Sequence, residues 1–348
     1  MVNSIEDPFR TSFALLAAEQ TRFAVGAAVA RGGGEPVTLV SGLRHKRSQD
    51  PIGPGAPWHI GSITKSFTAS LILKLVERDR LALDKPIGGL LPQYAGEMQA
   101  DWRAITLRQA LSHTAGLAAN VSTVELLRAV GDDLIAERLT RLRRLWVSAP
   151  GGEPGRFVYS NLGYVLAGAV AEVVAGRSWE DLIVSEIARP LGLPSLGFGA
   201  PTDAAAPWGH QSYFGLLHAK DPRREGADNP AWMGPAGGLH LNLADLVAWG
   251  QAHLAACNDA FPAFLSRESC TEMRRPVVED YGLGWSLQSL PNHQATLVWA
   301  NGSNTLWYAV LGMVPERDLV MAVALNGFDR AFGDRALRTL LQAVLDRV

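Results

Sequence analysis

Apolar residues recur along this chain with two different periods. Phe9, Phe13 and Leu16 fall at helical spacing, which predicts a short amphipathic helix near the N-terminus. The next apolar runs, RFAVGAAVA (22–30) and PVTLVSGL (36–43), are short, rich in valine and separated by RGGGE, the pattern of a β-hairpin. Beyond the loop DPIGPGAPW, the residues Ile63, Phe67, Leu71, Ile72, Leu75 and Val76 return to the 3.6 period and predict an amphipathic helix over 62–78. ITLRQALSHTAGL (105–117) and NLGYVLAGAVAEVVAGRS (161–178) are the clearest helical segments of a middle region broken by Gly and Pro. Residues 201–235 read as loop, and NLADLVAWGQAHL (242–254) resumes helix with Asn242 as its N-cap. YGLGWSLQ, ATLVWANGS, LWYAVLGMVP and LVMAVALNG then read as strands, and DRALRTLLQAVLDR closes the chain as an amphipathic helix.

Strands at both ends with helices between them predict a mixed α/β (α+β) fold. One antiparallel sheet draws on both termini, helices flank it, and a helical region is inserted. On this reading residues 1–60 and 201–348 form the sheet-bearing part and residues 61–200 the mainly helical part, with any site in the cleft between them. A chain of 348 residues, 47% hydrophobic and 19% charged, can bury a sizeable core. A net charge of −2 gives no basis for binding nucleic acid, and the cluster RLTRLRRLW reads as a solvated helix face. No stretch reaches the length of a membrane span. The N-terminal residues lack the basic start and apolar run of a signal peptide, so the sequence as it stands predicts a cytoplasmic protein, with a removed leader and a periplasmic location as the alternative. Cys257 and Cys270 make neither a metal-ligand cluster nor a disulfide framework; they fit a pair, and fit two free thiols at least as well.

Lysine is scarce, with only Lys46, Lys65, Lys74, Lys85 and Lys220, so its place in GSITK is informative. Ser62 and Lys65 stand at i and i+3, on one helix face about a turn apart. Ser62, at the helix start, would have a free backbone N–H and feel the positive end of the helix dipole. A desolvated lysine can take the serine's proton and make it a nucleophile. The plainer alternative is a helix cap beside a snorkelling lysine. In VYSNLGY, a Tyr159 hydroxyl close to the amine could carry that proton to a leaving group, and Asn161 could orient a carbonyl or the lysine. Here the alternative is a core tyrosine and a capping asparagine. In WANGSNTLWY, Gly302 would let a substrate approach the backbone closely, and the Ser303 N–H could join that of Ser62 as an oxyanion donor. A glycine bulge at a sheet edge would look the same.

SITK, YSN and ANGSN, in this order and spacing, resemble the three motifs of the serine β-lactamase-related family. That family embraces class C β-lactamases, D-Ala-D-Ala peptidases and family VIII carboxylesterases. LDKPIGGLLP, ITLRQALSHTAGL, IARPLGLPSLGFG, PAGGLHLNLADLVAWG and VPERDLVMAVALNG extend the resemblance over residues 23–326. It implies a β-lactamase/transpeptidase-like fold and a covalent acyl-enzyme. Ser62 would be the acylated nucleophile, Lys65 its activating partner and Tyr159 the general acid/base. The Ser62 and Ser303 amides would form the oxyanion hole, and Asn161 would touch both substrate and Lys65. Gly302, Asn304, Trp232 and Trp307 join Asn161 as substrate-binding candidates. Trp208 is placed near the same site, although tryptophans more often pack in a core. His113 sits in a structural stretch, and no G-x-S-x-G elbow accompanies it. The substrate implied is a small ester or amide, with no metal and no organic cofactor.

One departure bears on substrate choice. The third motif usually opens with lysine or histidine, whereas here that position is Ala300. A missing cation removes a charge-assisted hydrogen bond to a substrate carboxylate, worth about 1.5–3 kcal/mol. Penicillins, cephalosporins and peptide C-termini carry such a carboxylate, and simple esters do not. The sequence therefore points to a carboxylesterase on small or medium esters. A β-lactamase or D-amino-acid peptidase/acyltransferase is the enzymatic alternative, and a non-catalytic acyl-ligand-binding or scaffolding homologue is the alternative of another kind.

Overall fold

The computed structural model describes residues 5–122, 131, 133–214, 216–260 and 264–347. The N-terminal helix α1 (Glu6–Glu19) is followed by the hairpin of β1 (Val25–Arg31) and β2 (Val37–Ser41). At the other end of the chain, β3 (Ser286–Leu290), β4 (Ala295–Ser303), β5 (Tyr308–Val314) and β6 (Leu319–Leu325) run in a meander. The hairpin docks on the meander through β1 and β6, in register from Val25 opposite Leu325 to Arg31 opposite Leu319. The result is one six-stranded antiparallel sheet of order β2-β1-β6-β5-β4-β3.

Every residue of β5 and β6 is buried, because both faces of the sheet are covered. Alternation assigns the two faces. Val25, Ala27, Val29, Met321 and Val323 meet Phe9, Phe13 and Leu16 of α1 and the apolar stripe of the C-terminal helix α6 (Arg330–Leu345). Their neighbours Ala28, Ala30, Ala322 and Ala324 belong to the larger core on the opposite side. Small residues there let the helix α4 (Leu243–Cys257) lie close: a Cβ on Gly250 would come within 2.5 Å of Val320. Asn242 caps α4 by accepting from the Asp245 N–H.

The helix α2 (Thr64–Glu77) runs through the middle of the larger core. The sequence predicts an amphipathic helix there, but residues 64–75 are all buried. Its polar side chains find partners inside the protein. Thr68 donates to the Pro235 carbonyl, Ser66 to the Ile63 carbonyl, and Lys74 to the Phe264 carbonyl. Other corrections are local. Residues 105–117 are helical only over Leu107–Leu111, where Thr106 and Gln109 form a capping box. Residues 201–235 include a small hairpin of Gly209–Tyr213 and Leu216–Lys220. Cys257, at the end of α4, and Cys270, in the helix α5 (Arg267–Arg274), are joined as a disulfide rather than left as free thiols. Among the described residues no helix is long and apolar enough to cross a membrane.

Candidate active site

The chain enters α2 through Gly61, whose φ of +50° is a left-handed conformation suited to glycine, and a single 3₁₀ turn over Gly61–Ile63. That turn presents Ser62 to a cleft of about 470 Å³ between the helical layer and β4. Lys65, one turn later, lies beneath it with only 1% of its surface exposed. The amine donates to Ser62 Oγ at 3.0 Å, to Asn161 Oδ1 at 2.7 Å and to the Ala236 carbonyl at 2.6 Å. It also lies 4.9 Å from the centre of the Tyr159 ring. Burial pushes the lysine below its ordinary pKa, against the opposing influence of Tyr159.

Tyr159 approaches from the other wall, 40% exposed, and its hydroxyl donates to Ser62 Oγ at 2.7 Å. Two buried residues hold the tyrosine and asparagine in place. Ser160, not Asn161, caps the helix α3 (Asn161–Ala175) by accepting from the Gly163 N–H. Asn161 is thereby released to face the site, with its amide nitrogen donating to Asn120 Oδ1. His113 Nδ1 accepts the Ser160 N–H at 3.0 Å, and its ring packs 4.4 Å from that of Tyr159. Burial, reinforced by the nearby Lys65, lowers the His113 pKa to about 3, so the ring is a neutral support.

The third motif meets the serine turn backbone to backbone. A Cβ on Gly302 would lie 2.1 Å from the Ser62 nitrogen, and one on Gly61 would lie 2.2 Å from the Ser303 nitrogen. Two glycines thus bring the Ser62 and Ser303 amides side by side at the edge of the cleft. The missing side chain of Gly302, expected to admit a substrate, makes room for the turn that carries Ser62.

The other residues named from the sequence lie elsewhere. Trp232 is buried under the Arg141 guanidinium, 4.9 Å from its ring. Trp307 is fully buried, stacked on His59 and donating to the Pro207 carbonyl. The Asn304 side chain turns away from the cleft, donating to Asp228 Oδ1 at 2.8 Å and accepting from the Leu306 and Trp307 amides. Trp208 stacks on His45, 4.4 Å away. The aromatic walls come instead from Phe157, Tyr281, Trp299, Tyr308 and Phe328. Trp299 and Tyr308 bracket the third-motif stretch and Phe157 directly precedes the second motif, so nearness in sequence carried that signal; Tyr281 and Phe328 lie outside the motifs.

The sequence profile described as Beta-lactamase matches residues 9–346. The chain belongs to the beta-lactamase family. Among curated relatives, this family member is 27% identical over 310 residues to "Penicillin-binding protein 4" of Amycolatopsis lactamdurans, covering 83% of this chain and 77% of that protein. It superposes on the octameric penicillin-binding protein homologue from Pyrococcus abyssi with a TM-score of 0.76 at 25% identity, covering 96% of this chain and 77% of the other. A class C beta lactamase from Rhodobacter sphaeroides shares the fold with a TM-score of 0.76 at 20% identity, covering 98% of this chain and all of the other. The chain is thus a member of the β-lactamase/penicillin-binding protein superfamily of serine hydrolases, with the antiparallel-sheet fold of that group.

Proposed function

We propose that this protein hydrolyses small or medium carboxylic esters through an acyl-enzyme on Ser62. The observation that carries this reading is the Ser62 hydroxyl oxygen, held in the cleft by both Lys65 Nζ and Tyr159 Oη at hydrogen-bonding distance. Ser62 Oγ attacks the ester carbonyl carbon, and its proton passes to the Lys65–Tyr159 pair. The carbonyl oxygen, now negative, sits against the Ser62 and Ser303 amides. When the tetrahedral centre collapses, Tyr159 gives the proton to the departing alkoxide, which leaves as alcohol. Water then attacks the acyl group, yields its proton to the same pair, and Ser62 recovers a proton as the acid departs.

The preference for esters rests on charge. Lys65 and Arg330 are the cations among the described residues lining the cleft. Lys65 is occupied beneath the nucleophile, while Arg330 is 61% exposed at the rim and paired with Asp334 at 3.3 Å. Position 300 offers only a methyl group. Aromatic walls and no committed cation suit a neutral, apolar ester better than a β-lactam carboxylate.

The test is a panel on the purified protein. A fluorophosphonate should label one peptide, with the modification on Ser62 by mass spectrometry. Turnover of p-nitrophenyl butyrate should exceed that of nitrocefin, and Ala300→His should shift the ratio towards nitrocefin by about tenfold, as one charge-assisted hydrogen bond allows. Faster nitrocefin turnover by the wild type would instead establish a β-lactamase. Stoichiometric acylation without turnover would establish an acyl-binding homologue.

A further inference from the structure

Asp228 stands in a loop far in sequence from both oxyanion amides, yet its carboxylate touches both segments that carry them. His59 Nε2 meets Asp228 Oδ2 at 2.9 Å, and Asn304 Nδ2 donates to Asp228 Oδ1 at 2.8 Å. His59 is fully buried, and the carboxylate is only 12% exposed. On its other side, His59 Nδ1 accepts the Gly61 N–H at 3.1 Å, one residue before Ser62. Asn304 follows Ser303 directly, and its carbonyl oxygen fixes the next turn by accepting from the Leu306 and Trp307 amides. The ring of Trp307 stacks on His59, closing the cluster. None of these four side chains lines the cleft.

We infer that Asp228 is a positioning residue that sets the spacing of the oxyanion hole, holding the Ser62 turn through His59 and the Ser303 strand end through Asn304. This rests on the acyl-transfer reading given above. The chemistry of the chain of contacts explains why a carboxylate is needed. An Nδ1 that accepts from Gly61 must leave the imidazole proton on Nε2, so the partner at Nε2 must be an acceptor. The same partner must also accept from Asn304 and from the Asn229 N–H, which lies 2.7 Å from Oδ1. An ionised carboxylate accepts all three. Burial would raise its pKa, but the contacts from His59, Asn304 and the Asn229 amide outweigh that and hold it below the usual carboxylate value.

Asp228→Asn tests the inference with almost no change in volume. An amide oxygen can still serve Asn304, but its NH₂ then faces His59 Nε2. To accept from it, His59 must move its proton to Nδ1, where it opposes the Gly61 N–H. The readout is the rate of fluorophosphonate labelling of the full-length protein, separated into a maximal rate kinact and a binding constant KI, with a melting curve for each variant. Asp228→Asn should lower kinact by about 10- to 100-fold, less than or equal to the loss of a whole oxyanion donor, while KI stays near that of the wild type. A structural role alone would lower the melting temperature and leave kinact unchanged in the folded protein. Should Asp228→Asn not fold, Asn304→Ala cuts the other arm and should lower kinact by severalfold. Wild-type kinact in the folded variants, or a change confined to KI, overturns the clamp. Failure of the wild type itself to label overturns the acyl-transfer reading instead, so the two failures are distinct.

Discussion

Lys65→Met is expected to lower kcat/KM for p-nitrophenyl butyrate by about 10²- to 10⁴-fold, the usual contribution of a positioned proton acceptor. Methionine fits the same buried slot but takes no proton from Ser62. The pH dependence carries the sharper information. A protonated amine cannot accept the serine proton, so activity should rise with pH as Lys65 loses its own. Burial places that rise below the pH at which an ordinary lysine titrates, near 10.4. In Lys65→Met this rising limb should vanish rather than shift. The cost in stability is separate: Asn161 Oδ1 and the Ala236 carbonyl lose their donor, about 1–3 kcal/mol by denaturant titration. A folded Lys65→Met protein that keeps the wild-type rising limb would move the base to another residue.

The local chemistry of the site was legible because it lies in short stretches of sequence. Ser62 and Lys65 share a helix face by spacing alone, and the structure brings Tyr159 and Asn161 to the same point. What spacing cannot show is which side chains a distant segment will cover. Ser66, Thr68, Ser70 and Lys74 look like a solvated face of α2, yet carbonyls of Pro235 and Phe264 and the ring of Trp249 enclose them. The same limit applies to the aromatics. Trp307 falls within the third-motif stretch but is drawn into the core, while Tyr281 and Phe328 reach the cleft from segments with no motif of their own. Asn304 illustrates the point within one motif: its neighbour Ser303 faces the cleft, and Asn304 turns inward because Asp228, 76 residues away in sequence, receives it. The cysteine pair was undetermined for a similar reason, since only the packing of α4 against α5 brings the Cα atoms to 5.2 Å.

Gly302→Ala adds a single methyl group and is expected to disable the enzyme. The new Cβ would fall 2.1 Å from the Ser62 nitrogen and 2.2 Å from the Ile60 carbonyl oxygen. Both are backbone atoms, so no side-chain rotation relieves the overlap, and β4 must draw back from the turn. The movement that makes room for the methyl is the movement that separates the Ser62 and Ser303 amides. Loss of one oxyanion donor costs about 10²- to 10³-fold in kcat, and kcat/KM should fall at least that far. Overpacking at a buried site should also cost about 1–3 kcal/mol of stability. Gly53→Ala is the matched control, because a Cβ there meets nothing within 4 Å, and it should leave both quantities near wild type. If Gly302→Ala retained wild-type kcat/KM while Gly53→Ala did too, the close contact of the two backbones would have no part in turnover. The oxyanion would then be stabilised by groups other than these two amides.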